Sequence, residues 1–183
     1  MAMVGSSLMM VSDKSLESSD NDDARGKAYA FRCAENRQWG SLRDLMARPE
    51  SAQLGSLEDV DADGRTLLHV VCSNEPPLDV VKSVTNAFPT MTDAADAIAR
   101  RTPLHVAVAS GASTEVVKFL VESGPECTTR KDADGKTPLV LVTQEIGRID
   151  DELELRHEDE LEIERRLLYL CDLAESLVPL AVH

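Results

Sequence analysis

The sequence repeats itself at an interval of about three dozen residues. Thr66-Leu67-Leu68-His69 recurs 36 residues later as Thr102-Pro103-Leu104-His105, and Thr137-Pro138-Leu139-Val140 follows 35 residues after that. A second pair of motifs, Val80-Val81-Lys82 and Val116-Val117-Lys118, is again 36 residues apart. A period of this length indicates a linear array of short stacked units rather than one globular core.

Each copy of the first motif predicts the start of a helix. Thr102 suits an N-cap, because its hydroxyl can accept a hydrogen bond from a free backbone N–H in the first turn. Pro103 then falls at the first helical position, where its missing N–H costs nothing. The apolar residues that follow recur at helical spacing. We expect first helices near 66–73, 103–110 and 138–145, and second helices near 78–87 and 114–123.

These motifs resemble the ankyrin-repeat family, whose unit is a hairpin-like turn, two antiparallel helices and a loop. The family's turn pattern, Asp-x-x-Gly-x-Thr-Pro-Leu-His, is matched at 61–66 and at 132–139. The sequence departs from the pattern at four positions: Arg100 and Glu75 replace glycines, Leu67 replaces a proline and Val140 replaces a histidine. The resemblance implies an all-α solenoid of about four helix pairs with hairpin-like turns, capped by a long C-terminal helix.

The domain boundaries are predicted from where the repeats begin and end. Residues 1–24 are rich in Ser, Asp and Met without periodicity, which predicts a disordered acidic tail. An N-terminal pair of helices that contains Trp39 lacks the motif and is interpreted as a capping repeat. The resulting division is a tail (1–24), a repeat domain (25–178) and a short end (179–183), the domain comprising a cap repeat (25–57), two repeats (58–93 and 94–129) and a final repeat (130–178).

The final repeat is expected to end in one long helix from Asp150 to Val178. The first half of that helix, 150–164, is largely acidic, and is interpreted as a solvated face or as a surface for a basic partner. Its second half has one apolar stripe, spaced 4-3-4-3, formed by Ile163, Leu167, Leu170, Ala174 and Leu177. This stripe favours closure of the array as the second helix of the last unit, and dimerisation through it is the alternative.

Composition narrows the class of protein further. Acids outnumber Lys and Arg by 33 to 19, giving a net charge of −14, which argues against a nucleic-acid binder. No apolar run approaches the roughly 18 residues of a membrane span, so no membrane insertion is expected. The four cysteines are widely spaced without a C-x-x-C pair. They indicate reduced thiols in an intracellular protein, cytoplasmic or nuclear.

The sequence offers few candidates for chemistry. His69 and Cys72 lie three apart on one predicted helix, but a nucleophilic Cys–His pair also needs a third group to orient the base. The closely paired ligands typical of zinc sites are missing as well. The resemblance implies instead that His69 and His105 each stiffen a turn with the threonine three residues earlier. We therefore predict no catalytic, metal-binding or cofactor-binding residue and no enzyme activity.

The resemblance implies a binding module, an adaptor or scaffold that contacts an unidentified protein partner and is itself monomeric. The family's variable positions, on the turn tips and the outward side of each first helix, form a concave strip. In this chain the strip contains Asp63, Arg65, Ser73, Asn74, Ala99, Arg101, Ala109, Ser110, Asp134, Lys136 and Gln144. Its mixed charges favour a partner with a mixed polar surface. The alternative is a structural or assembly protein that acts through the acidic C-terminal helix, by binding a basic partner or by self-association.

Overall fold

The computed structural model describes residues 19–47, 60–155 and 160–178. Within these ranges the regular structure is helical and contains no strand, with two 3-10 turns, Pro89–Thr92 and Pro125–Thr128, between helices. The helices are α1 (Ser19–Glu35), α2 (Trp39–Met46), α3 (Leu67–Cys72), α4 (Leu78–Ala87), α5 (Pro103–Ala109), α6 (Thr114–Ser123), α7 (Pro138–Leu155) and α8 (Glu160–Leu177). The predicted all-α class is therefore confirmed.

The helices stack in two parallel layers. Helices α1, α3, α5 and α7 contact one another in that order, and α2, α4, α6 and α8 do the same. Each odd-numbered helix also packs against the even-numbered helix that follows it. The described chain is thus a row of helix pairs in which each pair packs mainly against its neighbours, as in other solenoid proteins.

The core between the layers is almost entirely aliphatic. Leu68 and Leu104, which occupy the same place in two copies of the motif, expose 0% and 1% of their surface. Leu139 occupies that place in the last described pair and is only partly buried. Packing of this kind contributes stability mainly through the apolar area that it removes from water.

The helix starts follow the predicted capping chemistry. Thr102 has an extended backbone and forms a capping box with His105, and Pro103 occupies the first helical position. Thr66 forms the same box with His69 at the start of α3. Trp39 begins α2 and packs against the core.

The N-terminal boundary differs from the prediction. Helix α1 begins at Ser19, so the end of the predicted disordered segment, residues 19–24, is helical. The run of residues 19–35 has no proline and a single glycine, which lets the helix extend upstream of the predicted pair. Residues 1–18 of the predicted tail, residues 48–59 around the end of the predicted cap repeat, and the predicted end, 179–183, lie outside the described residues.

The predicted single helix from Asp150 to Val178 is wrong. Residues 150–155 complete α7, which began at Pro138, and α8 is a separate helix that packs back against α7 and onto α6. The first helix was expected to stop near residue 145, but residues 145–155 contain no proline, and the helix continues through the single glycine, Gly147. The acidic face predicted for 150–164 falls on side chains outside the described part of the chain.

Candidate functional site

Each turn tip is built around one aspartate. The Asp61 Oδ1 atom accepts hydrogen bonds from the backbone N–H groups of Asp63 and Arg65, both at 2.9 Å. Asp132 does the same with Asp134 at 3.0 Å and Lys136 at 2.9 Å. Such Asx-type bonds fix a turn without help from the rest of the fold. The first and third tips therefore present their intervening side chains in the same geometry.

The middle tip is one residue longer than the other two. Its backbone closes from Asp96 to Arg101 at 2.9 Å, whereas the first tip closes from Asp61 to Arg65. The Asp96 side chain accepts from Ile98, at 3.0 Å, as well as from Ala99 and Arg101. The extra residue leaves Ile98 with 69% of its surface exposed. Counting the residues from each aspartate to the next threonine would have revealed this insertion in the sequence. Ile98 was not among the residues predicted for the strip.

Hydrogen bonding keeps two of these aspartates ionised. Burial raises the pKa of Asp61, but the hydrogen bonds from Arg65 and Asp63 and the Arg65 charge outweigh it and hold the pKa below 3.8. For Asp132, burial acts in the same direction and is outweighed by the backbone bonds from Lys136 and Asp134. Both carboxylates therefore stay negative at neutral pH and hold their turns closed.

The second and third tips are each tied to the preceding helix pair by one histidine. The Nδ1 atom of His69 accepts from the Thr66 backbone N–H at 3.1 Å, and its Nε2 atom lies 2.8 Å from the Arg101 carbonyl oxygen, 32 residues away. His105 repeats this arrangement with Thr102 at 3.2 Å and the Lys136 carbonyl at 3.1 Å. Since a backbone N–H can only donate, Nδ1 accepts and Nε2 carries the proton. Each ring is thus a neutral bridge between successive repeats.

The surroundings of these rings favour the neutral form. Burial lowers the pKa of His69 below 6.5, and hydrogen bonding to the Arg101 carbonyl only partly offsets it. Burial lowers the pKa of His105 in the same way. The structural role that the resemblance implied for both histidines, a local hydrogen bond with threonine, is present. The bond to the next repeat was not foreseen.

The tips form a continuous row. The Ala133 backbone N–H donates to the Ala99 carbonyl at 2.7 Å, which joins the second and third tips directly. A Cβ atom added to Gly64 would lie 2.9 Å from the Ala97 backbone nitrogen, so the first and second tips are in close contact as well. The tip residues of the predicted strip are therefore brought side by side.

The residues of the predicted strip differ in how much of each side chain is exposed to solvent. Asp63, Ala109, Asp134 and Gln144 are exposed, and the other members are partly buried. Arg65 contacts Asp61 at 2.7 Å and Asp63 at 3.4 Å. Arg101 lies 3.6 Å from the buried Asp132 carboxylate. Both arginines are therefore partly engaged within the chain.

Ser73 and Asn74 secure the end of α3. The Ser73 hydroxyl donates to the Val70 carbonyl at 2.8 Å, and the Asn74 amide donates to the same oxygen at 2.9 Å. These bonds satisfy a carbonyl that the helix leaves open at its C-terminus. The two residues therefore support the helix end on which they are placed.

A groove of about 510 Å³ opens at the other end of the first helices, where α5, α7 and α8 meet. Three members of the predicted strip line it, Ala109, Ser110 and Gln144, together with Tyr169 of α8. The Tyr169 hydroxyl donates to the Ala112 carbonyl, and burial raises its pKa to about 12. Sequence reasoning missed Tyr169 because it placed the acidic segment and α8 in one helix.

The cysteines are placed as structural residues. Cys72 is fully buried, and burial raises the pKa of its thiol to about 12. Both ring nitrogens of His69 are already hydrogen-bonded, so His69 has no lone pair free to activate that thiol. All four cysteines are free thiols, and only Cys171 is exposed. No group of three or more His, Cys, Asp or Glu side chains in the described ranges could hold a metal ion.

A family model described as ankyrin repeats in three copies matches residues 30–131 and 68–151. The chain belongs to the ankyrin-repeat family. Ankyrin repeats are generally protein–protein interaction modules and are typically non-catalytic. A search of curated proteins found no match to the chain. Of the helices in the described ranges, none has the length and apolar character that crossing a membrane requires.

Proposed function

We propose that this ankyrin-repeat protein is a non-catalytic adaptor or scaffold, which binds a protein partner along its turn tips and the adjoining face of its first helices. The observation that carries the proposal is the row of three tips. Each is closed by its own aspartate, two are joined to the preceding pair by a histidine, and two share a backbone hydrogen bond. A surface fixed in this way loses little conformational freedom on binding.

The chemistry of the row favours a protein partner. Exposed Asp63 and Asp134 alternate along it with partly exposed Arg65, Arg101 and Lys136. Mixed charges of this kind suit a protein surface, whereas a nucleic acid needs a contiguous basic face. We expect a monomer with a modest interface, at the small end of the range for specific complexes.

Charge reversal on the tips tests the proposal. We would compare two variants in affinity capture from native lysate, each of which turns two exposed acids into lysines. Asp63→Lys with Asp134→Lys changes the tips, and Glu115→Lys with Glu122→Lys makes the same change in net charge on α6 in the other layer. We expect specific partners to be lost with the tip variant and retained with the α6 variant. Equal retention by both would contradict the proposed surface.

The alternative function, assembly through the acidic C-terminal region, has support in the length of the last helix pair. Truncation after Gln144 is a poor test of it, because Leu173 and Leu177 of α8 are fully buried in the core. Point changes on the surface of this region are the cleaner test, since they leave the fold intact.

A further inference from the structure

The middle tip carries the opposite charge from its two neighbours. The first tip, 61–65, and the third tip, 132–136, each contain two aspartates and one basic residue, a formal charge of −1. The middle tip, 96–101, contains two arginines and one aspartate, a formal charge of +1. Carboxylates of a partner are therefore attracted to the middle of the row more than to its ends.

One bulky apolar side chain projects from this middle tip. Ile98 has 69% of its surface exposed, the largest fraction among the large hydrophobic side chains whose burial the structure describes. Its neighbours are small, because Ala97 and Ala99 flank it and Ala133 of the third tip is bonded to Ala99. A partner that encloses Ile98 would remove this apolar surface from water, which favours binding.

The backbone that carries Ile98 is fixed on two sides. The Asp96 side chain accepts hydrogen bonds from the backbone N–H groups of Ile98, at 3.0 Å, and Arg101, at 3.2 Å. The Ala99 carbonyl accepts from the Ala133 N–H of the next tip at 2.7 Å. The position of Ile98 in the row is thus set before any partner arrives, which lowers the entropic cost of binding.

Arg101 is held in place with hydrogen-bond donors to spare. Its buried Nε atom lies 3.6 Å from the Asp132 Oδ2 atom, and neither atom has a hydrogen-bond partner among the described residues. The side chain is 35% exposed. A guanidinium has five N–H donors in a planar fork. The equivalent Arg65 differs, because its Nε and Nη2 atoms both lie 2.7 Å from the Asp61 carboxylate of its own tip. Arg101 is therefore the better placed of the two to bind a carboxylate of another molecule.

We propose that the middle tip anchors the partner protein, with Ile98 entering an apolar hollow on the partner and Arg101 binding an Asp or Glu carboxylate at the edge of that hollow. This rests on the proposed function and deepens it, because it assigns the chemistry of the partner. Residues that contribute most to binding cluster near the centre of an interface, and Arg is enriched among them. The middle tip occupies the centre of the row.

Selection from a phage-displayed library of disulfide-closed peptides, with the intact chain as target, tests the proposal. A closed loop can surround a projecting side chain. We expect the enriched peptides to share Asp or Glu beside bulky apolar residues. The best peptide, labelled for fluorescence anisotropy, should bind more weakly as salt is raised. Failure to enrich any peptide, or enrichment without acidic residues, would overturn the proposal.

A pair of matched variants tests the apolar contact. Ile98→Ser should weaken the selected peptide at least about tenfold. Leu168→Ser makes a similar change at a residue of α8 that is 66% exposed, and it should leave binding unchanged. Equal binding by the two variants would overturn the role of Ile98.

A second pair tests the ionic contact. Arg101→Lys keeps a positive charge beside Asp132 but loses the planar fork, and it should weaken the peptide about three- to tenfold. Arg43→Lys is the control, because Arg43 of α2 also pairs with an aspartate of the next helix pair, Asp79 at 3.1 Å, but in the other layer. The same affinity in both variants would overturn the role of Arg101.

Methyl NMR locates the bound peptide directly. The chain contains four isoleucines, and Ile98→Leu identifies the signal of Ile98 by removing it. The peptide should shift that signal, and the other three signals show whether each variant is folded. A shift confined to the other three would place the peptide elsewhere and overturn the proposal.

The outcomes separate this inference from the proposed function. Partners that the tip variant, Asp63→Lys with Asp134→Lys, loses in lysate capture should also be lost with Ile98→Ser. Equal capture by the tip variant and the α6 variant would overturn the proposed function itself. Loss of partners with the tip variant, together with peptide binding that survives both Ile98→Ser and Arg101→Lys, would overturn the anchor alone.

Discussion

Three charged residues occupy backbone conformations that favour glycine. Arg37, Glu75 and Arg100 have φ values of 54°, 51° and 53°. Arg100 takes the position held by Gly64 and Gly135 in the neighbouring tips, whose φ values are 74° and 77°. A left-handed residue with a Cβ atom costs about 1–2 kcal/mol. Arg100 and Glu75, which replace glycines of the family pattern, therefore hold strained backbone conformations.

Replacing Arg100 with glycine should release that strain. We expect Arg100→Gly to raise the free energy of unfolding by about 0.5–1 kcal/mol, since the greater entropy of glycine in the unfolded chain offsets part of the gain. Urea denaturation measures the change. Arg100→Ala removes the same side chain and keeps the Cβ atom, so a comparable rise in that variant would contradict the explanation.

The histidine bridges make stability depend on pH in a known direction. Because the folded state lowers the pKa of His69 and His105 below 6.5, the unfolded chain binds more protons once the pH falls below that value. The free energy of unfolding should therefore decrease as the pH is lowered through 6.5 toward the folded pKa values. Asp61 and Asp132 titrate below 3.8 and act only in stronger acid.

Urea denaturation at a series of pH values between 7.5 and 5 checks this. In a chain with His69→Gln and His105→Gln, the stability should be lower at pH 7.5 and should fall less steeply toward pH 5. A slope as steep as that of the parent chain would mean that other groups account for the pH dependence.

For these residues, the sequence predicted the hydrogen bonds between near neighbours in the chain but missed the hydrogen bonds to the next repeat. The Thr-x-x-His spacing, together with the family resemblance, was enough to pair His69 with Thr66. The Arg101 carbonyl is 32 residues away, and no local pattern encodes which backbone oxygen will face Nε2. The ion pairs of Arg65 with Asp61 and of Arg101 with Asp132 were not predicted, because they depend on the same tip geometry.

At the scale of structural elements, the contact between the first two tips can be measured by comparing substitutions at two equivalent glycines. Gly64 and Gly135 occupy the same tip position with nearly equal φ, but a Cβ atom at Gly64 would crowd Ala97, whereas none of the described atoms lies within 4 Å of a Cβ atom at Gly135. Gly135→Ala should cost about 1 kcal/mol from the backbone alone. Gly64→Ala should cost about 1–3 kcal/mol more, because a neighbouring tip must move.

Thermal or urea unfolding of the two variants gives the difference directly. The backbone penalty is common to both variants. The difference between their free energies of unfolding therefore measures the cost of crowding the neighbouring tip. Equal destabilisation would show that the tips do not press on one another and would weaken the picture of a fixed row.

The helices themselves were largely predictable, and the exceptions have definite causes. The bounds of α4 and α6 match the prediction because prolines and capping residues mark them. Helix α7 was predicted to end too early, because the acidic residues from Asp150 onward were interpreted as the start of a new helix. Acidic residues are equally compatible with a continuing helix. The two 3-10 turns repeat as Pro89-x-x-Thr92 and Pro125-x-x-Thr128, a 36-residue signal that was present in the sequence and overlooked.

For the molecule as a whole, α8 decides whether the acidic region is part of the fold or an appendage. In a linear array, stability is a sum of contributions from the units and from the contacts between neighbours. Helix α8 supplies Leu173 and Leu177 to the core and contacts both α6 and α7.

A chain ending at Gln144 should therefore unfold at a clearly lower urea concentration and with a smaller m-value, because less surface is buried. A chain ending at Val178 keeps all of α8 and should match the untruncated chain. If the chain ending at Gln144 unfolded at the same urea midpoint as the untruncated chain, α8 would not close the array, and its acidic neighbourhood would be free to serve binding alone.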